Sequence, residues 1–498
     1  MLNMRKIRRG NEDKIQMSIS MDNNREMTRW RPRYHFTAPG GWINDPNGLC
    51  FFRGKYHLFY QYNPCGCDWG QMYWGHAVSE DLTHWDDMPI ALFPDRYYDS
   101  DEAGGCFSGS AIVENDRMYL FYTGTSRHGN MLVQSQCVAY SEDGIHFTKY
   151  EENPVIIYPP ALDGEVSNFR DPKVLKYNGR WYMVVGSTTG GLKVGDGRIF
   201  LYESEDLLHW DYKGILLCCN GEWTSMCECP DFFQIDGKWV LMFSLMHAIN
   251  AEKTIYAVGE MDFEKCKFSI ERTGELDYGM DYYAPQSFLD DKGRRILIAW
   301  QNSWWWLPWF NDYGPTEKEN WRGSMSYPRE LKMLPDGRLA LYPVEELEKV
   351  IQKGKIYENM VINITQRDFE VPKSGAYRLK LSGNLRKNTA GILEIGLKAY
   401  EDKATVIRVD FWKGMVSLDR RKADAGSKGN TIHEFNRECG DFSLTVLVDR
   451  SSVEFFVNEG DACMTCTVFP EKEKQCLWMR TKGGEFACDR VSVEEIIL

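Results

Sequence analysis

Short apolar and aromatic runs, each opened by a turn, recur along the first two thirds of the chain. Tyr56-His57-Leu58-Phe59-Tyr60 is followed by Met118-Tyr119-Leu120-Phe121-Tyr122 and Trp181-Tyr182-Met183-Val184-Val185. Trp239-Val240-Leu241-Met242-Phe243 and Arg295-Ile296-Leu297-Ile298-Ala299 complete the series. Successive starts are 62, 63, 58 and 56 residues apart. Arg53-Gly54, Asn115-Asp116, Asn178-Gly179, Asp236-Gly237 and Lys292-Gly293 stand before the runs, as tight turns between strands require. A second element keeps step: Ser79-Glu80-Asp81-Leu82-Thr83-His84-Trp85 returns around His146-Phe147 and around His209-Trp210. Its His and Trp read as turn and outer-strand anchors rather than catalytic groups. Five such repeats predict an all-β fold, a five-bladed β-propeller with radial sheets around a central channel.

The pattern changes after residue 343. Val344, Leu347, Val350 and Ile351 have helical spacing, which predicts a linker helix over 344–359. Beyond it, short alternating strands around Tyr377–Leu381, Val406–Phe411, Leu444–Val448 and Val453–Val457 predict a C-terminal β-sandwich over 360–498. The polar residues 1–28 read as a flexible tail, which leaves 29–343 as the propeller and catalytic domain.

Composition narrows the chemistry. With 59 basic against 72 acidic residues the net charge is −13, which argues against nucleic acid and anionic membrane partners. Seventeen Trp and 26 Tyr suit flat, partly apolar ligands such as sugar rings. No stretch approaches the roughly 20 apolar residues of a membrane span, and no apolar core follows the basic N-terminal residues, so a cytoplasmic protein is expected. The odd count of 15 Cys fits reduced thiols. Cys463-Met464-Thr465-Cys466 stands alone, and Cys218-Cys219 and the pair flanking Glu228 lack metal-site spacing. Neither a metal nor a cofactor is expected, and the oligomeric state is not legible.

Three acids keep register with the repeat. Asp45, in Trp42-Ile43-Asn44-Asp45-Pro46-Asn47-Gly48, lies 11 residues before Tyr56; Asp171 lies 10 before Trp181, and Glu228 lies 11 before Trp239. Equivalent positions of radial sheets converge on the axis, so the three carboxylates are expected to share one pocket. The same phase of the other two repeats holds Phe107-Ser108-Gly109-Ser110 and Tyr282-Tyr283-Ala284-Pro285-Gln286, aromatic and polar groups suited to a sugar. Paired carboxylates across a sugar are the machinery of glycoside hydrolysis: one attacks or activates water, and the other protonates the leaving oxygen. Arg170 can hold the third carboxylate ionised.

These blocks resemble the signatures of glycoside hydrolase family 32, the β-fructofuranosidase family: Trp42 to Gly48, Arg170-Asp171-Pro172 and Glu228-Cys229-Pro230-Asp231. Gln61-Tyr62-Asn63-Pro64, Trp74-Gly75-His76-Ala77, Pro328-Arg329-Glu330-Leu331 and Asp449-Arg450-Ser451-Ser452-Val453-Glu454 extend the match over roughly 30 to 498. The resemblance implies that Asp45 is the nucleophile, Glu228 the acid/base and Asp171 the transition-state stabiliser of a retaining hydrolase. It implies that Asn44, Gln61, Trp69, Ser108, Arg170 and Trp300 bind the terminal fructose, beside Phe107 and Tyr282 from the repeat phase. Sucrose and short fructo-oligosaccharides are the expected substrates, with sucrose-6-phosphate hydrolysis or fructosyl transfer by the same triad as the alternatives. An inverting arabinoside or xyloside hydrolase, and a sugar-binding propeller without catalysis, are rival readings. Trp304-Trp305-Trp306 and Trp309, with Trp321, are expected to wall a site for a second sugar. One departure stands out: Cys227 occupies the place where many members carry Trp.

Overall fold

A computed structural model describes residues 28–192, 195–247, 253–304, 315–423, 428–437, 440–472 and 475–498. The described residues are almost wholly β-structure, relieved by short 3-10 turns, as the all-β reading expects. Between Gly41 and Pro343 the chain forms five successive antiparallel sheets of four strands each, the first of them extended by a fifth strand. The aromatic runs form the second strand of every sheet, for example Lys55–Asn63 and Lys238–Met246. The first strands are Gly41–Phe52, Cys106–Glu114, Phe169–Tyr177, Met226–Ile235 and Tyr283–Leu289. Each first strand packs against the next, and the fifth packs back against the first. The circuit is joined by a two-residue parallel pairing, Gly41 with Trp321 and Trp42 with Arg322. Inner strands of this kind are covered on both faces, and their burial is nearly continuous rather than alternating.

The Ser-Glu-Asp-x-x-His elements are Asx turns. Asp81 Oδ1 accepts the backbone N–H groups of Thr83 and His84, while Oδ2 lies 2.8 Å from His84 Nδ1. Asp143 with His146 and Asp206 with His209 repeat the arrangement, so these histidines serve the turn.

The predicted linker helix is shorter than the spacing suggested. Only Glu345–Val350 is helical, as a 3-10 turn, and a strand begins at Lys355. Ile351 is already extended and bridges Ile496, and Gly354 then packs so closely on Val493 that a Cβ would lie 1.7 Å from the Val493 carbonyl oxygen. From Lys355 to Glu495 two six-stranded antiparallel sheets enclose one apolar core, built from residues such as Leu379, Ile395, Val446 and Phe455.

A buried ionic seam joins the two halves. The segment following Thr28 folds back so that Asp449 accepts N–H groups from Arg33 (2.7 Å), Tyr34 (3.0 Å) and His35 (3.2 Å). The His35 ring lies 2.9 Å from Asp449 through Nδ1 and 3.2 Å from Glu454 through Nε2. Glu454 also pairs with Arg329 at 3.0 Å, and Arg329 reaches Asp277 at 2.8 Å. Burial alone would lower the His35 pKa, but the bonds to both carboxylates raise it to about 9. Glu454 pays the same desolvation and is nevertheless pulled down to about 2 by Arg329 and His35.

Candidate active site

Every first strand carries one extra residue at the same point of its ladder. Pairing slips between Ile43 and Pro46, between Phe107 and Gly109, between Arg170 and Lys173, between Glu228 and Asp231, and between Tyr283 and Gln286. Each slip is a β-bulge, which bends the strand and re-aims a side chain. Proline marks four of the five: Pro46, Pro172, Pro230 and Pro285. Proline has no N–H to give a ladder and is confined within sheets to edges and bulges. At the second sheet Gly109 takes this place, where a Cβ would lie 1.9 Å from the Phe121 carbonyl oxygen. Asp171, Cys229 and Ala284 adopt positive φ values of 67°, 47° and 51°, a conformation non-glycine residues hold only when the surroundings enforce it.

Aligned on the bulges, the site is two rings. Asp45, Ser108, Asp171, Cys229 and Ala284 form one; Asn44, Phe107, Arg170, Glu228 and Tyr283 form the other, one residue upstream. Glu228 is therefore one place out of step with the two aspartates, and a thiol stands at their phase.

Within the first ring, Ser108 Oγ donates to Asp45 Oδ2 at 2.6 Å and Asn44 Nδ2 donates to Oδ1 at 3.1 Å. The Cys229 backbone N–H donates to Asp171 Oδ2 at 2.9 Å, and its Sγ lies 3.4 Å from Asp45 Oδ2 and 3.5 Å from Asp171 Oδ2. In the second ring Arg170 grips Glu228 Oε1 through Nε (3.0 Å) and Nη2 (2.8 Å), and Tyr283 OH donates to Oε2 at 2.7 Å. Gln134 and Asn168 hold the far side of the Arg170 guanidinium.

Among the described residues the cation of this cluster is Arg170, which pairs with Glu228 and whose charge also acts on Asp171. Burial raises the pKa of Asp45, with the bonds from Ser108 and Asn44 working against it and the Glu228 charge adding to it. Burial likewise lifts Asp171 to about 7; Arg170 opposes the rise, and Glu228 and Asp45 reinforce it. Burial and the neighbouring carboxylates hold the Cys229 thiol well above its usual pKa, so it remains an S–H donor.

These groups line a cavity of about 480 Å³. Asn44, Asp45, Gln61, Trp69, Phe107, Ser108, Arg170, Asp171 and Glu228 all face it, as do Leu132, Gln134, Leu192, Met246 and Trp304. Two expected binding residues do not. Tyr282 precedes the fifth first strand and packs away from the cavity, under the Arg329 guanidinium, which lies 4.6 Å over its ring. Strand alternation presents its neighbour Tyr283 to Glu228 instead. Trp300 is fully buried and acts from behind, its ring 6.0 Å from Trp42 and 4.9 Å from Trp304. Trp321 belongs to the strand that joins the circuit and lies outside the cavity, while Trp305, Trp306 and Trp309 lie outside the described residues.

Two domain descriptions match the chain in succession: Glycosyl hydrolases family 32 N-terminal domain over residues 35–343 and Glycosyl hydrolases family 32 C terminal over 346–495. The chain belongs to glycosyl hydrolase family 32. Similar family 32 proteins include a sucrose-6-phosphate hydrolase from Zymomonas mobilis, 35% identical over 94% of this chain and 91% of its own length. A raffinose invertase from Escherichia coli is 34% identical, over 92% of this chain and 93% of its own length. Among solved structures, a Bombyx mori family 32 β-fructofuranosidase mutant in complex with sucrose superposes with a TM-score of 0.81. It is 29% identical, and the match covers 99% of both chains. In this family 32 hydrolase the Cys227 thiol that replaces the common Trp is buried, 3.4 Å from Cys219 Sγ. Within the Tyr282–Gln286 stretch expected in the pocket, Tyr283 rather than Tyr282 meets Glu228, and Cys229, Gln134, Asn168 and Met246 were not expected as site residues. The residue preceding each bulge proline was a signal for Cys229 alone; Gln134, Asn168 and Met246 had none.

Proposed function

We propose that this chain is a retaining β-fructofuranosidase that releases terminal β-D-fructofuranosyl residues from sucrose and short fructo-oligosaccharides. Asp45 attacks the anomeric carbon and Glu228 protonates the leaving oxygen; Glu228 then activates the water that hydrolyses the fructosyl-enzyme. Asp171 binds fructose hydroxyls and faces the positive charge of the transition state. The observation that carries this reading is the placing of three carboxylates by matched bulges around one cavity with a single guanidinium among them. Not all three ionise without cost, and a proton retained in such a cluster is what acid catalysis needs. Ser108 and Asn44 fix the Asp45 carboxylate, while Arg170 and Tyr283 fix Glu228, so little reorganisation remains for the reaction. Asn44, Gln61, Trp69, Phe107 and Ser108 take the fructose, and Trp300 supports them through Trp42 and Trp304.

On this reading the five sheets are the blades of a five-bladed β-propeller. The catalytic domain runs from 29 to 343, a short linker follows, and the two six-stranded sheets are a β-sandwich domain. The substrate is a small fructoside met in the cytoplasm. Sucrose-6-phosphate is the second reading, favoured by the name of the Zymomonas mobilis relative.

Fructose release from sucrose, sucrose-6-phosphate, 1-kestose, inulin and levan, with the Asp45→Ala protein alongside, tests the proposal. Release from sucrose or kestose is expected, with retained configuration by NMR and a loss on the order of 10⁴-fold or more in the variant. A folded wild-type protein that releases fructose from none of them overturns it.

A further inference from the structure

A second cavity, of about 230 Å³, shares no lining residue with the first and lies where the segment 31–37 meets Thr83, Trp85 and Arg450. A chain of net charge −13 gathers arginine here: Arg29, Arg31 and Arg33 alternate along one segment, and Arg450 comes from the C-terminal half. Arg31 is committed to the fold, donating to Thr37 Oγ1 (2.8 Å), Ala38 O (2.7 Å) and Pro39 O (3.0 Å). The nearby acids are committed as well, and not to guanidinium groups. Asp449 accepts backbone N–H groups from Arg33, Tyr34, His35 and Arg450. Glu319 accepts those of Arg29 and Trp30 and the indole N–H of Trp321. Among the described residues, the guanidinium of Arg450 donates to a neutral carbonyl, Thr28 O, at 2.8 Å, and that of Arg33 makes no ion pair.

We propose that this cavity is an anion site for a phosphate monoester, clasped between the guanidinium forks of Arg33 and Arg450. Two planar forks present several parallel N–H donors, which match a tetrahedral oxyanion better than a spherical one. Partial burial and the like charge of Arg33 lower the Arg450 pKa, and the charges of Asp449 and Glu319 offset this only in part; a bound dianion adds to that offset. Trp85, Phe36 and Tyr34 give the same cavity an aromatic wall, against which the carbon skeleton of an ester packs. The volume exceeds that of a bare phosphate, since a water occupies about 30 Å³. Occupation ties the N-terminal segment to the C-terminal sheets across the seam.

Isothermal titration of the full-length protein with inorganic phosphate and with glucose 6-phosphate, at constant ionic strength, tests the site. Wild type is expected to show one site for at least one ligand. Binding should weaken at least tenfold in Arg33→Gln and in Arg450→Gln, while sucrose turnover changes less than about twofold. Arg33 is exposed, so its variant tests the site even if Arg450→Gln fails to fold. Equal affinity for both ligands identifies the phosphate group alone as the ligand. Tighter binding of the sugar phosphate, lost in Trp85→Ala, identifies an ester. Absence of binding to wild type, or the same isotherm in the Arg33→Gln, Arg450→Gln double variant, overturns the proposal; the latter places the binding at the catalytic cavity.

Discussion

Two groups of buried carboxylates sit in this molecule under opposite electrostatic regimes. In the candidate active-site cavity Asp45, Asp171 and Glu228 have one cation among the described residues, Arg170, and burial lifts Asp171 to about 7. At the seam Asp277, Asp449 and Glu454 are met by Arg329 and His35, and Glu454 falls to about 2. Both groups paid to leave water, so burial is not what separates them. The difference is how far the charge is offset: two cations meet three acids at the seam, against one in the cavity. A largely offset set locks two parts of a fold together, whereas the acid-rich set of the cavity favours retention of a proton, as the proposed chemistry requires.

The contrast can be broken most severely at Arg329. Arg329→Met leaves Asp277 and Glu454 buried without their cation and should destabilise the protein by about 3–5 kcal/mol, read by urea denaturation. The folded fraction should keep its kcat on sucrose within about twofold. A loss of kcat without a loss of stability would make the seam part of the active site.

His35 gives the next effect. Its folded pKa is raised, to about 9 against an unfolded value near 6.5, so its contribution is complete below about pH 6.5 and is lost as pH rises through 9. The expected loss is on the order of 3 kcal/mol between those limits, measured by denaturation at pH 6.5, 8 and 9.5. Asp449, Glu454 and, through Glu454, Arg329 are the charges that face it. His35→Gln should flatten that slope and be the less stable protein at pH 6.5.

The smallest effect sharpens the cavity side. Ser108→Ala removes a 2.6 Å bond that favours the ionised form of Asp45. The acid limb of kcat/KM should move to higher pH, and its plateau should fall about 10- to 100-fold, the worth of a hydrogen bond to a charged group. Unfolding free energy should change little. An unshifted acid limb would assign that limb to another carboxylate.

The repeat was legible because each second strand carries an unbroken apolar run after a turn, and nothing else in a chain has that period. The three acids were legible because the bulges hold a fixed distance from those runs. What pattern could not show is the bulge itself. It offsets Glu228 by one residue from Asp45 and Asp171, and it presents Tyr283 rather than Tyr282. Pro46, Pro172, Pro230 and Pro285 recorded the offset, since each follows the residue at the bulge. The linker failed for another reason: helical spacing over a few residues does not outweigh the bridge of Ile351 to Ile496 and the close packing of Gly354 on Val493. The seam was out of reach, because His35, Arg329 and Glu454 meet only through tertiary folding.

The two bridged pairs that complete the circuit, Gly41 with Trp321 and Trp42 with Arg322, join positions roughly 280 residues apart. Trp42 also holds Asn44, its indole N–H donating to Asn44 Oδ1 at 2.8 Å, and Asn44 in turn holds Asp45. Contacts between such distant segments form late, because a long loop must close before they give anything back. The strand that carries Asp45 therefore gains its last long-range partner in the event that joins the two ends of the circuit. A ribosome-bound chain that has not yet released residue 322 carries the strands of Asp45, Asp171 and Glu228 but lacks the partner that joins the circuit, and on the proposed function it is expected to be inactive. Recovery of activity during refolding is a clock for the last step of assembly, and it should lag the recovery of β-structure.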